Sequence, residues 1–293
     1  MKVNSITITY LSKVTFASLS GSDSDADNIN TIKKITLNDG SELPYVSPQA
    51  LRHALRNQLN TLGCELSKIT PGTGKAPAIT KCNPIKYIDD DLFGFMDAKG
   101  DTQRTSPIRV ESMVALTKYQ SDMDFGTNYM GVEKGGNPNI FETEIHSGLY
   151  RGSILIELDR VGKGNEKEGF SVNKKVVEVD KEEKIKRLHA FTDAFQNLWS
   201  SGRQSRFLAD ISPKFFAAAL MKAKNPIFLE AVNHPINIDS LKTVVDDYSL
   251  FIEKHLFAGQ KAVIGEVNGD IKTLKEGFDE LKQWVRDYYD AKK

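Results

Sequence analysis

Apolar and polar residues alternate through the first part of the chain, over residues 5–19, beginning with the run Ile6-Thr-Ile-Thr-Tyr10. Alternation with a period of two places side chains on the two faces of a β-strand in turn. The phase of the alternation shifts near Leu11, and such a shift is typical of a β-bulge. The pattern therefore predicts a long first strand with a bulge near Leu11.

A pattern with helical spacing follows at residues 47–62. Ser47 can cap this helix, Pro48 fits its first position, and Gly63 can end it. The apolar residues that form the predicted buried stripe are Ala50, Leu51, Ala54, Leu55, Leu59 and Leu62. The stripe predicts an amphipathic helix with one buried face.

Polar residues precede this helix and line one of its faces. A loop rich in Gly, Ser and Asp spans residues 20–28, directly after the predicted strand. Gln49, Arg52 and Arg56 recur at helical spacing on the exposed side. The loop and the helix N-terminus thus fall at the same end of a strand, which suits an anion such as a nucleic-acid backbone. The alternative is an ordinary solvated helix face.

Weaker patterns follow in the middle of the chain. Residues 64–104 contain several prolines and glycines with little periodicity, and predict a long insertion or flexible arm. Residues 106–119 and 140–161 predict the second and third strands, with a long hairpin loop at residues 121–138.

Two later segments decide the topology. Residues 181–200 are amphipathic and predict a helix with Phe195 and Trp199 on its buried side. Residues 213–221 combine alanines, which favour helix, with a short apolar run that fits a buried strand. If this segment is a strand, the order is β-α-β-β-α-β, the ferredoxin-like arrangement that RNA-recognition domains share.

The C-terminal region predicts mainly helix over residues 225–293, ending in an amphipathic helix at residues 270–289. Trp284 lies on the apolar stripe of that helix. Together with Phe195 and Trp199 it is interpreted as a packing residue and not as a base-stacking platform.

Charge is balanced overall but uneven along the chain. The 293 residues include 39 basic and 39 acidic side chains, which argues against a nucleic-acid binder that works by bulk attraction alone. Residues 66–88 and 200–224 are locally cationic, whereas acids gather at residues 23–27 and 89–91 and along the C-terminal helices. This distribution predicts a bipolar surface that also meets protein neighbours.

Cysteine content and hydropathy indicate the cellular compartment in which the protein is expected. Cys64 and Cys82 are too few and too far apart for a disulfide framework or a zinc cage, so reduced thiols are expected. No apolar run approaches the roughly 18 residues of a membrane span, and the N-terminus alternates as a strand does. We therefore expect a cytoplasmic protein with no membrane partner.

Motifs for catalysis or cofactor binding are incomplete. The segment Gly72-Thr-Gly-Lys75 lacks the first glycine and the final Ser or Thr of a phosphate-binding loop. Asp23, Asp25 and Asp27 begin like a calcium loop, but Asn28 replaces its glycine. The histidines show no metal-ligand spacing. From the residues alone we expect no cofactor and no metal.

Five separated segments carry a resemblance to a known family. They read ITYLSKVTFASLSGSD at 8–23, KKITL at 33–37, LPYVSPQALR at 43–52, FETEI at 141–145 and SGRQSRFLADISP at 201–213. In this order they resemble the DevR-type CRISPR-associated autoregulator family, over about residues 6–229. That family is the type I-B branch of the Cascade backbone subunit, the seventh Cas family.

The resemblance implies an α+β fold: a modified ferredoxin-like palm, similar to an RNA-recognition motif, with inserted finger and thumb subdomains and C-terminal helices. The palm would span residues 1–229 with insertions at 64–104 and 121–138, and residues 230–293 would form helices packed on it. Copies of such a subunit stack along CRISPR RNA with other Cascade subunits, and target DNA is met through the guide. Which insertion is the thumb stays open.

The resemblance also implies RNA-binding positions, because the loop after the first strand, the helix start and the segment near residue 203 fall where RNA contacts are expected. These positions are Ser20, Asn28, Lys34, Ser47, Gln49, Arg52, Arg56, Arg203, Gln204, Ser205 and Arg206. Helix N-terminal amides and arginine forks bind phosphates without reading bases, as a guide carrier must.

Two alternatives remain open. The acids Asp23, Asp25 and Asp27 resemble the position of an aspartate that cuts target RNA in related type III backbone subunits, which would make the chain a metal-dependent endonuclease. A transcriptional autoregulator would instead need a helix-turn-helix that reads duplex DNA, and the sequence shows no convincing one.

Overall fold

The computed structural model describes residues 2–21, 28–73, 77–130, 132, 135–199, 206–265, 267, 269 and 271–291. The strands are β1 (Ser5–Ala17), β2 (Ile29–Asn30), β3 (Lys34–Thr36), β4 (Glu42–Val46), β5 (Phe95–Asp97), β6 (Thr102–Arg104), β7 (Ile108–Val110), β8 (Met113–Ala115), β9 (Met123–Asn128), β10 (Asn139–Glu144), β11 (His146–Glu157), β12 (Ser171–Val172), β13 (Lys175–Val176), β14 (Phe215–Met221) and β15 (Ile252–Gly259). The helices are α1 (Pro48–Thr61), α2 (Ile88–Phe93), α3 (Lys181–Gln196), α4 (Ile238–Asp247), α5 (Lys261–Ile264) and α6 (Leu274–Asp290). None of the helices in these ranges combines the length and hydrophobicity of a membrane span.

The main sheet is antiparallel and has eight strands in the order β15-β14-β1-β11-β8-β4-β3, with β7 also paired to β11. The predicted bulge near Leu11 was wrong, because Leu11 pairs in register with Arg151 and Phe215 and the register shift lies between Val14 and Ala17. The change of phase has another cause. Both faces of β1 are buried, so Leu11 packs in a second core on the opposite face.

The main core lies between one face of the sheet and the helices α1, α3 and α6. Tyr10 of β1 packs edge-to-face on Phe195 of α3, with ring centroids 4.9 Å apart, and Phe195 contacts Phe278 of α6 at 6.0 Å. Trp284 is fully buried in the same layer. The predicted packing roles of Phe195 and Trp284 are confirmed, whereas Trp199 follows the end of α3 and is 37% exposed.

The opposite face of the sheet is covered by the chain segment around α4. Its apolar side chains Phe228, Val232 and Ile238 pack with alternate residues of β14, such as Ala217 and Ala219. This second core confirms residues 213–221 as a buried strand. It also leaves that face of the central strands unavailable as an open platform.

Strand β15 forms one edge of the sheet, so the prediction of mainly helix over residues 225–293 was wrong there. The first half of the strand exposes Glu253, Lys254 and His255. Pairing with β14 decides the outcome, because strand preference depends on the neighbouring strand more than on local composition. The predicted terminal helix is confirmed as α6.

Strands β9 and β10 pair as an antiparallel hairpin, so the prediction of a loop throughout residues 121–138 was wrong for residues 123–128, which form β9. The apolar side chains that the hairpin exposes are Met123, Phe125, Tyr129, Met130, Val132 and Ile140. Met130 is 86% exposed. Exposed apolar side chains are thus concentrated on this hairpin, a feature that often accompanies contact with another molecule.

The predicted insertion at residues 64–104 contains α2 and the β5-β6 hairpin. Its acids were expected on a bipolar surface, and this expectation was wrong for Asp89, Asp90 and Asp91, which are all buried. Asp91 pairs with Arg104 and Arg187, so the local negative charge is neutralised inside the protein. Buried charges persist only when they are paired in this way.

Helix α1 matches its prediction closely. Ser47 is the N-cap, Pro48 begins the helix, and Gly63 follows its end with a φ of 83°. The one error in the predicted buried stripe is Leu62, which is 47% exposed because the helix ends at Thr61.

Candidate nucleic-acid interface

Three predicted RNA-binding residues, two from residues 28–34 and one at residue 206, contact three consecutive residues of β10, residues 142–144. The backbone oxygen of Asn28 accepts a hydrogen bond from the first of them at 2.9 Å. Arg206 donates to the side-chain hydroxyl of the second at 3.2 Å, and Lys34 donates to the carboxylate of the third at 2.9 Å. The fold therefore gathers these three residues at the base of the β9-β10 hairpin.

Lys34 is half-buried and is paired within the chain. Its ammonium lies 2.9 and 3.2 Å from the two carboxylate oxygens of Glu144 and 4.2 Å from the ring centroid of Tyr119. Burial alone would lower the pKa of Lys34, but the hydrogen bond and charge of Glu144 outweigh it and raise that pKa. Ser20 lies beside this cluster, since its backbone oxygen accepts a hydrogen bond from Lys33 N at 2.9 Å.

Arg206 is held on several sides. Its guanidinium donates to the carboxylate of Asp124 on β9 and to the hydroxyl of Thr143 on β10. The guanidinium carbon also lies 4.8 Å from the ring centroid of Phe141 and 5.3 Å from that of Phe207. Arginine stacked on aromatic rings keeps its planar fork in a fixed direction, which is the geometry that phosphate recognition uses.

The N-terminus of α1 adjoins this cluster through β4. The hydroxyl of Ser47 accepts a hydrogen bond from Ala50 N at 3.3 Å, which confirms the predicted cap. Two residues earlier, Tyr45 N donates to the backbone oxygen of Lys33 at 2.9 Å. Gln49 is exposed in the first turn. The positive end of the helix dipole thus lies near the strand that carries Lys34.

The two arginines of α1 differ in their partners. Arg56 Nε lies 3.5 Å from the buried carboxylate of Asp89, and its guanidinium lies over the Phe93 ring at 5.0 Å. Among the described residues, Arg52 makes one hydrogen bond, to the backbone oxygen of Pro48 at 3.3 Å. Burial, followed by the like charge of Arg56, lowers the pKa of Arg52. A bound anion at Arg52 would offset both effects.

Some predicted residues fall outside the described part of the chain. They are Arg203, Gln204 and Ser205 of the predicted RNA site, Asp23, Asp25 and Asp27 of the alternative nuclease site, and Gly74 and Lys75 of the incomplete phosphate-binding motif. Within the described residues, no group of three or more His, Cys, Asp or Glu side chains is arranged to hold a metal ion.

The sequence interpretation missed the acidic partners of the cations, Asp124 and Glu144. It also missed a cleft of about 470 Å³ that opens at the base of the hairpin and is lined by Phe16, Lys118 and His146 among others. Burial lowers the pKa of His146, whose Nδ1 lies 2.8 Å from the hydroxyl of Tyr150. Residues 140–146 read IFETEIH and do not alternate, so no local pattern marks Glu144 as the partner of Lys34.

Comparison with known proteins identifies relatives of this chain. A curated protein from Myxococcus xanthus strain DK1622, "CRISPR-associated protein Cas7/Cst2/DevR", is 29% identical over 152 residues, which cover 44% of this chain and 50% of that protein. The chain thus matches about half the length of this relative.

Two solved structures share the fold over 96% of this chain. The first is a chain of a "CRISPR RNA-guided surveillance complex, pre-nicking", with a TM-score of 0.63, 14% identity and 100% of that chain covered. The second is a chain of a "CRISPR RNA-guided surveillance complex", with a TM-score of 0.57, 14% identity and 99% covered.

The family described as "CRISPR-associated negative auto-regulator DevR/Csa2" matches residues 8–237. This match covers well over half of the chain and includes β1, α1, β10 and α3. The chain therefore belongs to the DevR/Csa2 family of CRISPR-associated proteins.

Proposed function

We propose that this chain is an RNA-binding backbone subunit of a type I-B-like CRISPR surveillance complex. In this proposal it binds CRISPR RNA through the phosphate backbone, polymerises along the guide with other Cascade subunits, and supports pairing with target DNA. One observation carries the proposal: Asn28, Lys34 and Arg206 meet on β10 in a chain of the DevR/Csa2 family.

The topology supports a modified ferredoxin-like palm. The strands β14, β1, β11 and β7 are adjacent in that order, with α1 between β1 and β7 in sequence and α3 between β11 and β14. In RNA-recognition motifs, aromatic side chains on the open sheet face stack on bases. Here the segment around α4 covers that face, which favours contact with phosphates along the edge instead.

Arg52 is the strongest phosphate ligand in this proposal. Among the described members of the predicted site, Lys34, Arg56 and Arg206 each pair with a carboxylate, whereas Arg52 has none. It also stands in the second turn of α1, near the positive end of the helix dipole. A phosphate placed there gains a charged hydrogen bond without displacing an internal partner.

The β9-β10 hairpin is the proposed thumb. Its exposed apolar side chains suit contact with a neighbouring copy or with bases, whereas part of the other insertion is buried as α2. We expect Phe125→Ser to reduce the cooperativity of binding on long RNA while leaving one-subunit binding to short RNA unchanged. Equal cooperativity in the variant would exclude the hairpin from subunit contacts.

Native mass spectrometry with single-stranded RNAs of increasing length tests the function. A ladder in which one more subunit binds per fixed increment of RNA, whatever its sequence, supports the proposal. Arg52→Ala should weaken binding about tenfold, because a charged hydrogen bond is lost. The matched control is Arg286→Ala, which removes an exposed arginine of α6. One stoichiometry at all RNA lengths would reject the filament.

We also propose that the chain has no catalytic step. Target RNA incubated with the protein and Mg²⁺ should stay intact. Cleavage that Asp25→Ala abolishes would instead establish the endonuclease.

A further inference from the structure

Two hairpin carboxylates neutralise two predicted RNA-binding cations. Asp124 of β9 pairs with Arg206, and Glu144 at the end of β10 pairs with Lys34. Neither acid lies near its cation in sequence. The hairpin therefore places negative charge at the positions where an RNA phosphate would be bound.

The two acids are held differently. Glu144 is buried and also accepts a hydrogen bond from the backbone N–H of Ile32 at 2.8 Å, so it fixes the fold around β3. The side chain of Asp124 is 30% exposed, and Arg206 is its one side-chain partner among the described residues. Only Asp124 can give up its cation without leaving another buried group unpaired.

Arg206 keeps its position when Asp124 is released. The hydroxyl of Thr143 accepts from Nη1, and the rings of Phe141 and Phe207 flank the guanidinium. The partners in these three contacts are uncharged, and they leave Nη2 free to donate to another anion. The arginine fork is therefore prearranged for a phosphate in the place of the carboxylate.

We propose that Asp124 is a built-in competitor that occupies Arg206 in the free chain and is displaced by a phosphate of single-stranded RNA. The inference rests on the proposed RNA-binding function and adds its regulation. An anion with a single phosphate gains little binding energy at Arg206, since the ion pair of Asp124 and Arg206 must first be broken. An RNA already bound at Arg52 supplies a phosphate at high local concentration and displaces Asp124.

The test compares poly(U) affinity for the wild type, Asp124→Asn and Asp122→Asn, measured by fluorescence anisotropy between about 50 and 200 mM salt. Asp122→Asn is the matched control, because it removes the same charge from an exposed residue two positions away that has no side-chain partner among the described residues. We expect Asp124→Asn to bind about fivefold more tightly than the control, since a partly exposed ion pair no longer competes.

A double-mutant cycle with Arg206→Ala isolates the pair. The gain from Asp124→Asn should vanish when Arg206 is absent. If the wild type binds poly(U) and the two variants Asp124→Asn and Asp122→Asn bind it with equal affinity, the competitor role of Asp124 is overturned. The proposed RNA-binding function is then unaffected. Absence of binding by every variant would overturn both the competitor role of Asp124 and the RNA-binding function. Binding by Asp124→Asn alone would strongly support the competitor role.

Discussion

Two clusters of acids and arginines in this chain look alike in sequence and differ in structure. Around α2, Asp91 is fully buried between Arg104 and Arg187 and also accepts from the backbone N–H of Gly162 at 2.9 Å. At the hairpin base, the ion pair of Asp124 and Arg206 is partly exposed.

The difference shows which charged side chains can exchange an internal partner for a ligand. A buried pair with many partners holds distant segments together and cannot exchange its partners without a large energetic cost. A partly exposed pair contributes little to stability, and its members remain available to a ligand. Substitutions in the two clusters should therefore separate stability from RNA binding.

Asp91→Ala should have the largest effect on stability. Removing this carboxylate leaves Arg104 and Arg187 buried without their main counter-charge, which should lower the free energy of unfolding by about 3–5 kcal/mol. Urea titration followed by circular dichroism measures the change. The control Asp279→Ala, at an exposed pair with Lys275 on α6, should shift the midpoint little. A loss below 1 kcal/mol for Asp91→Ala, on the order of a surface pair, would contradict the assignment.

Arg206→Ala should have the opposite profile. We expect poly(U) binding to weaken about fivefold on any sequence, because a phosphate contact is lost, while the free energy of unfolding changes by less than about 1 kcal/mol. Anisotropy and urea titration on the same preparation give both values. A large loss of stability with unchanged affinity would place Arg206 with the buried cluster.

Gly126→Ala should weaken RNA binding indirectly. Gly126 of β9 lies opposite Phe141, and an added Cβ would lie 2.4 Å from its ring. The ring must swing away from Arg206, which should cost about threefold in affinity through the lost cation-π contact. Thr127→Ala, on the same strand, is the control. Equal affinities would show that Arg206 does not need the ring.

Stability should fall mildly as the pH drops below about 6.5, the ordinary pKa of histidine. Burial lowers the pKa of His146, and burial is also the main cause of the lowered pKa of His189. Below that pH the unfolded chain binds more protons at these histidines than the folded chain does, so the free energy of unfolding falls as the pH falls. His146→Gln should flatten the Tm profile between pH 7.5 and pH 5.5, values that bracket about 6.5. An unchanged slope would exclude His146.

The sequence predicted those parts of the fold that local pattern controls. Ser47, Pro48 and Gly63 delimit α1 because capping depends on residues next to the helix end. The burial of Asp89–Asp91 and the strand β15 depend on distant partners, which no local pattern reveals. The same limit applies to the interface. Lys34 and Glu144 are 110 positions apart, so local pattern can select Lys34 as a candidate but cannot reveal the carboxylate that pairs with it.

The exposed charges on β15 lie along an edge of the main sheet where another strand could pair. An edge strand presents unpaired backbone groups that another strand could join, and charged side chains oppose such joining. Glu253, Lys254 and His255 stand on the first half of that edge, and the backbone of Lys272 covers part of the second half. The charges on one half and the covering backbone on the other both oppose the addition of a further strand at this edge.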